Sequence, residues 1–390
     1  MTGETLALYV HWPFCVSKCP YCDFNSHVRA TIDQGQWREA LLADVAHEAQ
    51  LLPGRRLTSI FFGGGTPSLM DPETVEAVIA AATARWTPAA DIEITLEANP
   101  NSVEAARFAD LARAGVNRLS LGLQSFDDGE LLFLGRAHSS REGFEALEIA
   151  QRNFRRVSFD LIYGLPEETE TNWSMRLAQA LSLGTSHLSL YQLTIEAGTR
   201  FASMVARHQF EPLDPDTAAA LYELTDAMTS AVGMPAYEIS NHARSGCESR
   251  HNLTYWRYGD YAGVGPGAHG RRLGQRSVRH KKPENFLSAI RRNGNGIAEE
   301  AALSAAEAVD EALVMGLRLS EGIDTARIAE RFGVPNIVDW SRVDRLVGSG
   351  HLTREDRRIA LTAKGRLLLD HILGEIASLE VKALAVEQAA

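Results

Sequence analysis

The sequence predicts an α/β fold, an incomplete (β/α)6 barrel followed by a smaller winged-helix-like α+β lobe. Short apolar runs alternate six times with longer amphipathic segments, polar residues stand where the runs end, and the pattern changes after residue 305. Alternation of this kind implies parallel strands joined by right-handed crossovers. Six units are too few to close an eight-stranded barrel, and an open doubly wound sheet is the alternative.

The apolar runs are rich in β-branched and aromatic residues and have the length of buried strands. They cover residues 6–12, 58–62, 92–96, 117–122, 156–162 and 187–193. Apolar residues recur at helical spacing between them, over 37–52, 72–86 and 102–115. Gly115, Gly184 and Gly233 each follow a helical run, where helices commonly end.

Polar or glycine-rich positions lie near the carboxyl end of each predicted strand or directly after it. They are the cysteine-containing segment 15–22, the GGGTP stretch 63–67, and then Glu97, Gln124, Asp160, Tyr191 and Gln192. Because the carboxyl ends of parallel strands gather at one mouth, we expect these residues to surround a common site.

The chain divides into three predicted regions. Residues 1–240 form the partial barrel, 241–304 close it, and 305–390 form the C-terminal lobe. In the lobe, helical runs precede a predicted hairpin at 351–362 and a last helix, as in winged-helix domains. Its short central helix, VDRLVGSG, carries a single arginine, which does not suit DNA recognition.

The charge distribution excludes general nucleic-acid binding. The net charge is −11, whereas phosphate neutralisation needs a basic face. One basic stretch, residues 271–282, is expected to be either a solvated loop or a contact for an anion such as a carboxylate. No run reaches the roughly 18 apolar residues of a membrane span, and no secretory signal opens the chain. We therefore expect a cytoplasmic protein with reduced thiols.

Three of the four cysteines, Cys15, Cys19 and Cys22, lie at C-x3-C-x2-C spacing, and Cys247 is far away. Clustered thiols in a reducing compartment indicate metal or redox chemistry. Three thiolates are one ligand short for both zinc and a [4Fe–4S] cluster, and Phe24 stands where a fourth cysteine would follow. The spacing leaves both groups open. A cubane held in this way keeps one iron free for an external chelator.

Further motifs extend this pattern along the chain. They are YVHWPFC, CPYC, FFGGGTPS, LEANP, SLGLQSF, GRAHS and DLIYGLP, in this order within residues 9–166. With these motifs the sequence resembles the radical S-adenosylmethionine (SAM) superfamily, and within it the branch of oxygen-independent coproporphyrinogen III oxidase.

The resemblance implies a role for each motif. The three cysteines would hold a [4Fe–4S] cluster whose open iron is chelated by SAM. Tyr9 and Tyr21 would flank SAM, and Gly64, Gly65 and Thr66 would line its methionyl part. The remaining polar contacts would come from Glu97, Gln124, Arg136 and Asp160.

The chain departs from the oxidase pattern at Phe24, where the oxidase has a fourth cysteine, and in lacking a long N-terminal extension. The segment RHNLTYW, 250–256, instead resembles the HNxxYW signature of the heme chaperone branch, often called HemW. That resemblance implies His251 as an axial heme ligand and Tyr255 and Trp256 stacked on the macrocycle.

We therefore expect a heme chaperone that transfers heme to acceptor proteins and lacks coproporphyrinogen oxidase activity. The alternatives are that oxidase, another radical SAM enzyme acting on a tetrapyrrole, and a zinc-stapled structural protein. Cys247 and His269 are the alternative heme ligands.

Overall fold

The computed structural model describes residues 4–377. Its strands, in chain order, are β1 (Thr5–Trp12), β2 (Phe14–Cys15), β3 (His27–Val28), β4 (Arg56–Gly64), β5 (Thr87–Ala98), β6 (Arg118–Gln124), β7 (Arg156–Tyr163), β8 (His187–Gln192), β9 (Asn241–Ala243), β10 (Tyr261–Val264), β11 (His269–Arg272), β12 (Gln275–Arg279), β13 (Ile297–Ala302), β14 (Ile323–Asp324), β15 (Leu352–Glu355) and β16 (Arg358–Leu361).

The helices lie mainly between the strands, apart from the group at the C-terminal end. They are α1 (Gln34–Leu51), α2 (Pro72–Arg85), α3 (Ser102–Ala105), α4 (Phe108–Arg113), α5 (Asp128–Phe133), α6 (Ser140–Asn153), α7 (Glu170–Ser182), α8 (Arg200–Ala206), α9 (Pro215–Ala231), α10 (Arg250–Trp256), α11 (Pro283–Asn293), α12 (Ala305–Gly316), α13 (Thr325–Phe332), α14 (Trp340–Gly348), α15 (Ala363–Arg366) and α16 (Leu369–Ile376). A short 3-10 helix covers Pro67–Leu69.

One large sheet organises the chain, in the order β13-β12-β11-β10-β1-β4-β5-β6-β7-β8-β9. The six predicted strands are β1 and β4 to β8, which neighbour one another in chain order and pair in parallel. Strand β10 also runs parallel to β1, whereas β9 and β11 to β13 join antiparallel. Among the residues described, β13 and β9 end the sheet without pairing to each other, so the predicted incomplete barrel is confirmed.

Most predicted helices form, and one is interrupted. Gly115, Gly184 and Gly233 have φ of 108°, 78° and 72° after their helices, as C-terminal glycines should. The predicted helix 102–115 is instead two short helices, α3 and α4. Arg107 stands at the break and donates hydrogen bonds to the carbonyls of Ser68 and Met70, which fix the turn from outside the helix.

Three arginines of the basic stretch 271–282, Arg271, Arg272 and Arg279, are buried, which corrects the expectation of a solvated loop. Arg279 is fully buried and pairs with Asp44 and Glu48 of α1, and Arg272 donates two hydrogen bonds to Glu48. Opposite charges buried together offset the cost of desolvation only with such geometry. These pairs fasten the antiparallel end of the sheet to the first helix.

The C-terminal lobe has its own apolar core, distinct from the core of the large sheet. Helix α12 precedes β14, and α13 and α14 lie between β14 and the predicted hairpin, which is present as β15 and β16. The three strands form one sheet in the order β14-β16-β15. The predicted boundaries at 240 and 304 stay predictions, and residues 378–390 of the third region lie outside the described residues. Within 4–377, no helix is both long and apolar enough to cross a bilayer.

Candidate functional site

A cavity of about 660 Å³ opens at the carboxyl ends of the parallel strands. Its wall combines the segment after β1 with the ends of β4 to β8. The structure brings the following predicted residues to this wall: Cys15, Cys19, Cys22, Tyr21, Gly64, Gly65, Thr66, Glu97, Gln124, Arg136, Asp160, Tyr191 and Gln192. The strand ends therefore surround one common cavity, as expected.

The cysteine loop, defined here as residues 13–28, is held at the cavity mouth by polar contacts. The Asn25 side-chain amide donates to the carbonyls of Pro266 and Lys281, at 2.9 and 3.0 Å. The Asn25 carbonyl in turn meets His11 Nε2 at 2.9 Å. Distant parts of the chain thus fix the loop in place.

Hydrogen-bond donors point at two of the loop sulfurs. Thr66 Oγ1 donates to Cys15 Sγ and Arg136 Nη1 donates to Cys19 Sγ, each at 3.5 Å. Such donors favour thiolates, which are the metal-binding form. Burial works in the opposite direction and raises the pKa of Cys15 and of Cys22.

A side-chain amide joins these two donors. Asn99 Nδ2 donates to Thr66 Oγ1 at 3.2 Å, and Asn99 Oδ1 accepts from Arg136 Nη2 at 2.6 Å. A continuous chain of hydrogen bonds therefore runs from Cys15 through Thr66, Asn99 and Arg136 to Cys19. Asn99 is itself held by Glu104, which accepts from its backbone and side-chain nitrogens.

Within residues 4–377, no three His, Cys, Asp or Glu side chains converge closely enough to hold a single metal ion. The loop cysteines Cys15, Cys19 and Cys22 are free thiols, partly exposed on a common wall. In a cubane each cysteine binds a different iron, so three separated sulfurs facing one cavity fit that group.

The glycines of GGGTP leave no room for side chains. Gly64 has φ of 110°, and an added Cβ would lie 2.7 Å from the His11 ring. At Gly65 it would lie 2.6 Å from the Phe14 carbonyl oxygen and 3.0 Å from Cys15 Sγ. This close approach of β4 to the cysteine loop explains the glycine run physically.

Among the carboxyl groups that line the cavity, those of Glu97 and Asp160 come from strands β5 and β7 of the sheet. Desolvation, with a smaller contribution from Asp160, raises the pKa of Glu97 to about 8. Desolvation also raises the pKa of Asp160 to about 6, although Ser189 and Ser120 donate to it. Glu97 therefore keeps its proton to a higher pH than Asp160 does.

Tyr9 does not line the cavity. Its hydroxyl contacts His11 Nδ1 at 2.9 Å, and its ring packs against those of Phe61 and His251. The structure thus places Tyr9 behind the wall, next to the segment RHNLTYW.

His251 is 1% exposed in α10 and is likewise separate from the cavity. Its Nδ1 meets Ser59 Oγ at 3.0 Å and its Nε2 meets the Tyr255 hydroxyl at 2.6 Å. Its ring stacks on Phe61, and burial lowers its pKa to about 3. Both ring nitrogens are engaged, so iron ligation by His251 requires one of these contacts to open.

Trp256 lies at the end of α10 between two spaces. The Arg318 guanidinium sits 4.7 Å from the centre of its ring, and Arg318 lines the cavity. Trp256 itself lines a second, larger groove of about 1650 Å³ where the sheet meets the C-terminal lobe. No local sequence pattern marks Arg318 as a site residue, because it comes from the C-terminal lobe. Asn99 lies within the LEANP motif, but the motif alone does not indicate that its side chain joins Thr66 to Arg136.

Comparisons with known proteins identify two family models along the chain. The radical SAM superfamily model matches residues 9–176, and the HemN C-terminal domain model matches residues 303–368.

Curated relatives match almost the whole length. A bovine protein, radical S-adenosyl methionine domain-containing protein 1, mitochondrial, is 41% identical over 95% of this chain and 83% of its own. The heme chaperone HemW of Escherichia coli K12 is 37% identical over 94% of this chain and 97% of its own.

Among solved structures, coproporphyrinogen III oxidase (HemN) from Escherichia coli matches with a TM-score of 0.80. It is 23% identical, and the match covers 96% of this chain and 90% of that one. At this identity the match shows the fold.

Proposed function

The chain belongs to the family of the heme chaperone HemW, within the radical SAM superfamily, and from this premise we propose that it binds heme and transfers it to acceptor proteins. It carries a [4Fe–4S] cluster with SAM on the open iron. The observation that carries the cofactor part is the wall on which three thiols, two sulfur-directed donors and the close-packed glycines meet. The heme part rests on the relatives named heme chaperones.

The cluster, when bound, supplies low-potential electrons and an iron site for the amino and carboxylate groups of SAM. The residues of this chain orient that ligand. Gly64, Gly65 and Thr66 present backbone and hydroxyl groups to its methionyl part. Tyr21, Gln124 and Arg136 lie on the same wall, as do Glu97 and Asp160. Tyr9 contributes through the packing behind the wall.

We propose that heme contacts the RHNLTYW segment, with His251 as axial ligand and Tyr255 and Trp256 beside the ring. The low pKa of His251 keeps its imidazole neutral, which is the form that ligates iron. Ligation then exchanges the bond between His251 Nε2 and the Tyr255 hydroxyl for a bond to iron. Cys247 is partly exposed and His269 is exposed, and these two residues are the alternative ligands.

The competing function is oxidative decarboxylation of coproporphyrinogen by radical SAM chemistry. Phe24 argues against it, because a phenyl group that is 58% exposed stands where the oxidase pattern has a cysteine. We propose the cytoplasm as the compartment, since the loop cysteines must remain reduced to bind iron. The acceptor that we propose is a protein with a vacant heme site.

The test is anaerobic reconstitution with iron and sulfide, followed by titration with hemin and with SAM. We expect about four irons per chain, in keeping with one cubane. We also expect a saturable Soret band and a change in the electron paramagnetic resonance spectrum of the reduced cluster when SAM is added. His251→Ala should weaken or shift the Soret band with the iron content unchanged. Robust decarboxylation of coproporphyrinogen III, with hemin not bound, would reverse the assignment.

A further inference from the structure

One part of the cavity is built by elements outside the first five strand–helix units. Tyr222 of α9 and Ser240, just before β9, add hydroxyl groups to the wall there. Arg318, which follows α12, reaches the same wall from the C-terminal lobe. Of the described residues that line the cavity, Arg318 is the one contributed by that lobe.

The Arg318 guanidinium retains donors that the residues 4–377 do not use. Its Nε is buried and has no hydrogen-bond partner in this part of the chain. The nearest carboxylate oxygen, Glu238 Oε2, is 3.7 Å from Nη2, which is beyond hydrogen-bond length. The other oxygen of Glu238 is occupied, because it accepts from the Ser240 backbone and the Asn241 side chain. Glu238 thus balances part of the charge but leaves the fork of donors free.

The other two cationic side chains of the cavity either already donate hydrogen bonds to the protein or lie at the mouth. Arg136 donates to Asn99, to the Gly122 carbonyl and to Cys19. Lys18 lines the mouth and is exposed to solvent. An anionic ligand that enters the cavity therefore finds at Arg318 a permanent cation with unused, planar donors, a geometry that matches a carboxylate.

Trp256 fixes the position of this guanidinium. The cation lies 4.7 Å from the indole centre, within the range of a cation–π interaction. The helix that carries Trp256 is anchored at its start, where Glu93 accepts hydrogen bonds from the His251 backbone and the Ser249 hydroxyl. Trp256 is therefore a positioning residue for Arg318.

We propose that Arg318, with Tyr222 and Ser240 beside it, is a carboxylate-binding subsite of the cavity that takes a propionate group of heme. This rests on the proposed function, since it assigns one anionic group of the same ligand. In this subsite Trp256 acts by positioning Arg318, a role that does not require direct contact between the indole and the porphyrin.

The test compares hemin with hemin dimethyl ester, which lacks ionised propionates, by absorption titration of the full, cluster-loaded chain. The parent protein should bind hemin about tenfold or more tighter than the ester, as expected for a charge-assisted pair. Arg318→Gln should remove this preference and leave ester affinity unchanged. Arg318→Lys should keep part of it, and Trp256→Leu should reduce it.

Arg327→Gln is the matched control, because Arg327 lines the second groove and has no ion pair among the described residues. We expect this variant to retain the parent preference for hemin. Thermal melts of both glutamine variants, together with the partial retention in Arg318→Lys, separate a lost contact from a misfolded chain.

Three outcomes would overturn the subsite, and a fourth would overturn the proposed function. Equal binding of hemin and its ester by the parent protein would do so while heme binding itself survives. If Arg327→Gln lost the preference for hemin while Arg318→Gln kept it, the propionate would belong in the second groove. A loss of SAM affinity without any loss of hemin affinity in Arg318→Gln would assign the subsite to the SAM carboxylate. No hemin binding by the intact, cluster-loaded parent would instead defeat the proposed function.

Discussion

The hydrogen-bonded chain between two loop sulfurs makes a quantitative prediction about the cluster's reduction potential. Thr66→Val keeps the side-chain volume but removes the O–H donor to Cys15 Sγ. A donor at a cluster sulfur stabilises the reduced cluster, which carries more negative charge, more than the oxidised one. Removing it should therefore make the potential more negative.

The size of the shift follows from the geometry. A hydrogen bond to a charged acceptor contributes about 1.5–3 kcal/mol. The contact from Thr66 to Cys15 is 3.5 Å long, and only the difference between the two oxidation states affects the potential. A differential of about 1 kcal/mol is reasonable and corresponds to about 40 mV for one electron. Because Thr66 also accepts from Asn99, the variant frees that amide to turn toward solvent or Glu104.

The assay is a redox titration of the reconstituted protein without SAM, followed by electron paramagnetic resonance. Thr194→Val is the matched control, because Thr194 lines the same cavity and has no contact to a cysteine sulfur among the described residues. Both variants should hold the parent amount of iron. An unchanged potential in Thr66→Val, or a shift of equal size in Thr194→Val, would refute the reasoning.

Four further outcomes follow from the structure. Alanine at any one of the loop cysteines should remove the cluster, whereas Cys247→Ala should leave about four irons per chain, and equal loss in Cys247→Ala would contradict the assignment. Glu97, with its pKa raised to about 8, binds a proton in the folded chain that the unfolded chain releases above about 4.5; cofactor-free stability should fall as pH rises between these values, and thermal melts of Glu97→Gln should show a flatter profile. Arg279→Met leaves the buried Asp44 without a cationic partner and leaves Glu48 with Arg272 alone, so it should cost about 3–5 kcal/mol in urea unfolding, and a neutral result would mean that the pairs of Arg279 are dispensable. His251→Ala opens a cavity and frees Ser59 Oγ, so it should lower the melting temperature as well as heme affinity, and a change in heme affinity alone would indicate that the native ring is not buried.

The parallel part of the sheet was predictable because it is buried on both faces and so consists of continuous apolar runs. Strands β1 and β4 to β8 lie within a few residues of their predicted positions, except that β5 begins five residues early at Thr87. The antiparallel strands β11 and β12 were missed, because their arginines resemble a solvated segment. Their partners, Asp44 and Glu48, lie on a helix more than 200 residues earlier.

The residues of the site were likewise predictable only in part. Residues at strand ends, such as Glu97 and Asp160, were predictable because topology alone brings them together. Arg318 was not, because its position depends on how a second lobe packs. The surroundings of His251 were also beyond the sequence: nothing local indicates that Ser59 and Tyr255 occupy its two nitrogens.

The fastening of the cysteine loop has a consequence for the timing of biogenesis. Asn25 reaches its acceptor on Lys281, a residue 256 positions later in the chain. At a synthesis rate of roughly 5–20 residues per second, that partner is made roughly 10–50 s after the loop. The thiols therefore leave the ribosome long before their docking surface exists. Cluster delivery that depends on the docked loop therefore waits until residue 281 has been made, and during this interval the nascent thiols are open to oxidation.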